Sequence, residues 1–170
     1  ASILNHYNTP LAAAKEHGTP YIRSKYIAYE KIQHCPQHDK VITLFPTAVF
    51  GGDHKFPKSH LNKGIPQSQH YLKWLRWFSI DASFHFLHAF DTATVVRCLL
   101  ESPLQQRRIV LGRPLVTARN TIRSLCHIFG ATVWFQIPLP LSLLYTLLKL
   151  FKIKLTEWDH TCIQQRHFQH

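Results

Sequence analysis

The chain has 170 residues, of which 45% are hydrophobic, 12% aromatic and 17% charged, enough length and apolar content for one globular domain with its own core, and this excludes disordered and fibrous classes. Twenty Lys and Arg against nine Asp and Glu give a formal charge of +11, so the surface is expected to be basic. The six glycines, at 18, 51, 52, 64, 112 and 130, have no spacing that writes a G-x-G-x-x-G or a G-x-x-x-x-G-K-[ST] phosphate cradle.

In chain order, Pro20 sits at a favourable first helical position and Tyr21 to His34 reads as a helix, closed by Cys35-Pro36. Val41 to Phe45 follows as a short buried strand. Residues 46 to 68, rich in Gly, Pro, Lys and His, form a long loop of the kind that carries function. Tyr71 to Phe78 is an aromatic, basic helix. Phe84 to Ala89 reads as a strand, Asp91 as the cap of a helix through Glu101, and Arg108 to Leu111 as a strand before the turn at Gly112-Arg113-Pro114. Thr117 starts the next helix and Gly130 ends it. Val133 to Ile137 is a strand and Leu141 to Phe151 a Leu-rich helix. Pro138, Pro140, Lys149, Lys152 and Lys154 cut the apolar stretch around that helix short of the roughly 20 residues a bilayer core requires, so it reads as buried or interfacial. Alternation of short strands and helices predicts an α/β chain.

Cys35, Cys98, Cys126 and Cys162 form no C-x-x-C pair and suit free thiols in a reducing compartment. The first residues show no basic region followed by an apolar one, so a cytoplasmic location is expected. The opening reads like the middle of a protein.

Tyr21 and Lys25 are four residues apart, hence on one helix face, where both can meet one reacting atom. A phenol of pKa near 10 is a poor proton carrier at pH 7. An ammonium about 5 Å away favours the phenolate by a gross Coulomb energy of roughly 3 kcal/mol at an effective dielectric of 20, enough for acid-base work at a carbinol or carbonyl. Spacing alone is weak evidence, because Tyr145 and Lys149 repeat it inside the Leu-rich helix. Context separates the two: Tyr21 is followed by the strand Val41 to Phe45 and then by Pro46-Thr47-Ala48-Val49-Phe50-Gly51-Gly52.

A Y-x-x-S-K helix followed by a strand ending in F-P-T-x-V-F-G-G resembles the second half of the extended short-chain dehydrogenase/reductase family, the NAD-dependent epimerase/dehydratase group. Further segments resemble it in the same order: Phe84 to Ala93 ("F-x-H-V-x-D-x-A"), Arg108 to Gly112 with Val116-Thr117 and the helix to Gly130, and the proline-led Leu-rich helix. The resemblance implies a partial Rossmann-like parallel sheet with a small C-terminal substrate subdomain: a single truncated domain over 1–170, with the catalytic helix and remaining Rossmann-like strands in 1–52 and the substrate-binding part, with interleaved sheet strands, in 53–170. It implies that Tyr21 is the catalytic acid/base, that Lys25 holds the nicotinamide ribose of NAD or NADP and assists Tyr21, and that Pro46, Thr47 and Val49 line the nicotinamide side. The family's hydroxyl group that bonds the substrate oxygen would fall at Ser2. The implied reaction is hydride transfer at a carbinol or carbonyl carbon of a small molecule, with nucleotide sugars among the candidates.

The departure from the family is the Gly-rich turn, which there precedes the catalytic helix. This predicts weak NAD(P) binding and no turnover by these residues alone, and a homo-oligomer or a separate N-terminal half as partner. The competing reading is a basic protein that binds nucleic acid or an anionic membrane without catalysis, suggested by Lys73, Trp74, Arg76, Trp77 and Phe78. No nucleic-acid motif supports the first form, and a substrate-lid helix accounts for those aromatics as well. Lys149, Lys152 and Lys154 would suit peripheral contact with a membrane. His85, His88 and Asp91 are poor metal ligands, since strand alternation puts the two histidines on opposite faces.

Overall fold

Thr19 and Pro20 set the entry to the longest helix among the described residues. The Thr19 hydroxyl accepts a hydrogen bond from Ile22 N at 3.3 Å, and Pro20 occupies a position whose N–H would have no partner. The structure, a computed structural model, describes residues 3–52, 69–102, 105–150, 152 and 154–167. After a loop closed by pairing of Leu4 with Pro10, the short helix α1 (Ala12–Glu16) packs on α2 (Pro20–Gln33). Ile22 and Tyr29, two turns apart on α2, are buried in a core with Ile3, Leu4, Ala14, Phe45 and Trp158. Trp158 belongs to α7 (Glu157–Gln164), so the far end of the sequence closes the core around α2.

The strands pair in twos. β1 (Thr43–Pro46) runs parallel to β6 (Arg108–Leu111), β2 (Ala48–Phe50) parallel to β5 (Phe86–His88), and β3 (Phe78–Ile80) parallel to β8 (Ile137–Leu139). β4 (Ser83–Phe84) runs antiparallel to β7 (Val116–Thr117). Helices α3 (69–75), α4 (Ala89–Glu101) and α5 (Ala118–Ile128) fall between them, and α6 (Leu141–Leu150) follows β8. Short parallel pairs joined through helices make this a mixed α/β fold of partial Rossmann-like character. Among the described residues, no helix is long and apolar enough to cross a membrane.

Several element ends differ from the sequence expectation, and the reason is pairing. β1 starts at Thr43 rather than Val41 because Val41 N turns back to the His38 carbonyl at 3.2 Å, while Thr43 N reaches the Arg107 carbonyl at 2.8 Å. α3 stops at residue 75, and Phe78, expected to be helical, joins β3 because Ile137 N donates to the Trp77 carbonyl at 2.8 Å. That bond also moves the expected strand 133–137 to Ile137–Leu139. Part of the expected loop after Pro46 is β2, and its residues 53–68 lie outside the described residues. Asp91 does not cap α4; His88 does, its Nδ1 accepting from Phe90 N at 3.2 Å. Thr117 and Gly130 bound α5 as expected, Gly130 with φ +68°.

Candidate functional site

β1 and β6 end together, with Pro46 opposite Leu111, and the chain beyond each strand bends over the same edge. Thr47 N donates to the Leu111 carbonyl at 2.9 Å and Arg113 N to the Phe86 carbonyl at 2.9 Å. In open α/β sheets the crevice beyond the carboxyl ends of parallel strands is the usual ligand position. A cavity of about 770 Å³ runs along one side of β6, from Arg108 at its amino end to Gly112 and Arg113 past its carboxyl end, with Tyr7, Thr47 and His85 also in its lining.

Gly112 keeps the cavity floor open. A Cβ there would press on His85 Cβ at 3.1 Å and on Thr47 Cγ2 at 3.2 Å. Two cations border it and both are held in place. The Arg108 guanidinium lies 5.6 Å from the Tyr29 ring centroid and 5.8 Å from that of Phe45, and it donates to the Asn8 carbonyl at 2.6 Å. Arg113 Nε donates to Asp91 Oδ2 at 3.0 Å, and this bond holds the Asp91 carboxyl below its ordinary range. His85 Nδ1 lies 2.7 Å from the Arg113 carbonyl oxygen. The buried Thr47 hydroxyl oxygen has no hydrogen-bond partner among the described residues, an unmet demand that a polar ligand atom would satisfy.

Tyr21 and Lys25 meet as their spacing requires. Lys25 Nζ sits 5.3 Å from the Tyr21 ring centroid, on the solvent side of the first turns of α2. Tyr21 is 65% exposed, and neither side chain lines the cavity at Thr47. The helix geometry explains this. Tyr29 packs edge-on against Phe45 with centroids 5.4 Å apart. Tyr21 is eight residues earlier, so α2 carries it about 12 Å further along its axis. The pair and the cavity at Thr47 therefore do not form one pocket.

Pro46 and Val49 are exposed beside Thr47, and Ser2 lies outside the described residues. The second Y-x-x-x-K pair is differently placed: the Tyr145 ring stacks on His160, 5.6 Å between centroids and 17° between planes. His85 and His88 face different partners, the latter meeting the Phe50 ring edge at 5.3 Å. Arg108 and Arg113 were not singled out as site residues by sequence; the only signal was their position at either end of the strand that runs into Gly112.

No family model matches the sequence, and no curated protein matches it. Among solved structures, the chain is similar to gox2253, with 17% identity and a TM-score of 0.59, over 98% of this chain and 52% of that one. It is also similar to PA4631, a nucleoside-diphosphate-sugar epimerase from Pseudomonas aeruginosa, with 12% identity and a TM-score of 0.58, over 89% of this chain and 48% of that one. The chain thus spans about half the length of these structures and shares their fold across that half.

Proposed function

We propose that the chain carries the acid-base and substrate side of an NAD(P)-dependent oxidoreductase of the epimerase/dehydratase type, acting at a carbinol or carbonyl carbon of a small molecule, with nucleotide sugars among the candidates. The observation that carries this reading is the Tyr21–Lys25 pair, 5.3 Å from ammonium to ring centroid, on the helix that precedes the parallel β1–β6 pair in the chain. The likeness in fold to a nucleoside-diphosphate-sugar epimerase supports the reaction class.

The residues fit one end of the cofactor. The Thr47 hydroxyl, unpartnered among the described residues, and exposed Pro46 and Val49 suit a nicotinamide, Lys25 lies apart from them, and the sequence contains no G-x-G-x-x-G for the pyrophosphate. Bound there, NAD or NADP would supply the hydride acceptor or donor. As the phenolate that the Lys25 ammonium favours, Tyr21 Oη would take the proton from a carbinol hydroxyl, and as the phenol it would give that proton to a carbonyl oxygen. Arg108 gives the cavity beside Thr47 positive charge of the kind that an anionic substrate such as a nucleoside diphosphate needs, while Arg113 is paired with Asp91.

The test is single-turnover reduction or oxidation at saturating NADH, NADPH or their oxidised forms with a panel of nucleotide sugars, made on the chain supplied with a Gly-rich N-terminal half, because the chain alone is expected not to turn over. Tyr21→Phe is expected to lower the rate by about 10²–10⁴-fold while nicotinamide fluorescence still reports cofactor contact. Turnover by Tyr21→Phe at the unsubstituted rate would overturn the assignment. Without a Gly-rich cradle, association with NAD(H) or NADP(H) is expected to be weaker than micromolar by calorimetry.

A further inference from the structure

Trp77 and Phe135 meet with ring centroids 5.1 Å apart, which ties the end of α3 to the segment that leads into β8. Arg76 braces the junction, with its guanidinium 4.7 Å from the Trp77 ring centroid and Nη1 donating to the Thr132 carbonyl at 3.5 Å. From this braced point, aromatic side chains stand out into water on both segments: Trp74 is 74% exposed, Trp134 81% and Phe135 56%. Tryptophan is ordinarily well buried, so such a rim marks a contact surface.

Beside the rim lies a depression of about 660 Å³, lined by Arg123, His127 and residues 130–133. Arg123 and His127 are one turn apart on α5 and share a face. The chain from Ser102 to Thr156 contains eight Lys and Arg and no Asp or Glu. The rim and the depression are therefore set in a stretch whose charge is of one sign.

We infer that this rim docks on an anionic phospholipid surface, with the exposed rings at headgroup level and Arg123 against lipid phosphate. Trp and Tyr prefer this boundary because one end of each ring system is apolar and the other can stay hydrated. Juxtamembrane Lys and Arg add attraction to anionic leaflets. α6, next in the chain, presents exposed Leu143 and Leu150 with Lys149 in its last turn, the pattern of a helix that lies on a surface rather than crossing it. A second copy is disfavoured by the +11 each chain carries, and a nucleic-acid strand needs a basic groove that tracks several phosphates rather than one depression beside an apolar rim. The inference is independent of the reaction proposed above.

The experiment is flotation of the full chain with vesicles of phosphatidylcholine alone and of phosphatidylcholine mixed equally with phosphatidylglycerol. Tryptophan emission is followed as brominated lipid replaces part of the mixture. Flotation with the mixed vesicles only, and quenching by the brominated lipid, are expected. Trp134→Ala and Arg123→Gln are each expected to weaken partitioning by about fivefold, the effect of one interfacial contact. Both side chains are exposed, so thermal melts should match the unsubstituted chain, and Leu100→Ala on α4 should leave binding unchanged. No flotation with anionic vesicles, or flotation untouched by Trp134→Ala, would overturn the inference. So would a dimer by sedimentation velocity that Trp134→Ala dissolves, or single-stranded DNA binding with the same sensitivity to both substitutions and no lipid quenching.

Discussion

Ser83 and His167, 84 residues apart, are joined by a 3.0 Å hydrogen bond between Ser83 Oγ and His167 Nδ1. The other ring nitrogen, Nε2, lies 3.4 Å from Asp81 Oδ2. The backbone adds to this fastening, since Ser83 N donates to the Arg166 carbonyl at 3.1 Å. Ser83 is only 3% exposed. His167→Ala therefore leaves a buried hydroxyl without its partner and is expected to cost about 1 kcal/mol, a fall in thermal midpoint of roughly 2–4 °C for a chain this size. Urea denaturation of the full chain measures it, and an unchanged midpoint would show that the terminal segment contributes nothing to stability.

Gly51 and Gly130 both have positive φ, +99° and +68°, yet their surroundings differ. A Cβ on Gly51 would run into the His88 imidazole, while one on Gly130 would meet nothing within 4 Å. Gly130→Ala is expected to cost about 1 kcal/mol, the backbone penalty alone. Gly51→Ala should cost more, about 2–4 kcal/mol, because His88 must leave both its cap on α4 and its contact with Phe50. Equal losses would contradict the packing of β2 on β5.

The acid limb of the stability profile is expected to follow two carboxylates. The Arg113 hydrogen bond lowers Asp91, and the backbone and hydroxyl donors of Thr156 lower Asp159. A carboxyl whose folded pKa lies below its unfolded value near 3.9 contributes stability that is present above about pH 4 and lost as pH falls through the folded value. Lys15 works in the opposite sense. Its pKa is raised, first by the hydrogen bond to Glu30, so its contribution is complete below about pH 10 and lost as pH rises through the folded value. Urea midpoints across pH should flatten on the acid side in Asp91→Asn and Asp159→Asn and on the alkaline side in Lys15→Gln.

The capping box of α7 gives a separate test. Thr156 Oγ accepts from Asp159 N at 3.2 Å while Asp159 Oδ2 accepts from Thr156 N at 2.8 Å, fixing the helix that delivers Trp158 to the core. Thr156→Ala is expected to cost about 1 kcal/mol by equilibrium unfolding. The loss should shrink in an Asp159→Asn background, since the two residues act as a unit.

The four cysteines are free thiols and differ in access. Cys98 is exposed, Cys35 half-buried and Cys126 wholly buried, and burial pushes the Cys162 thiol up, with Asp159 adding to it. Alkylation of the native chain, mapped by mass spectrometry, should modify Cys98 first and Cys126 only after unfolding. Early modification of Cys126 would mean that α5 does not pack as described.

What could be read from sequence was whatever is decided within a few residues. Thr19-Pro20 and Thr117 announce their helices because capping is a local hydrogen bond, and Gly130 ends α5 because the left-handed turn suits glycine. Strand ends were misplaced by two to four residues at Val41 and Val133 because the partner strand, tens of residues away, decides where pairing begins. The meeting of Tyr21 with Lys25 follows from helix periodicity, but their distance from Thr47 does not, since it depends on which residue of α2 docks on Phe45. Arg108 and Arg113 reach one cavity only through the β1–β6 pairing and the bend at Gly112, neither of which a local pattern shows.

Pro138 has a further effect on how β8 ends its sheet. In a parallel strand successive N–H groups point to alternate sides, and Ile137 N is spent on the Trp77 carbonyl toward β3. Leu139 faces the same way by alternation, so the one position of this three-residue strand that turns its nitrogen outward is a proline, which has no hydrogen to donate. The outer margin of β8 therefore lacks the donors that would template another strand, and growth of the pair into a larger, self-associating sheet stops there.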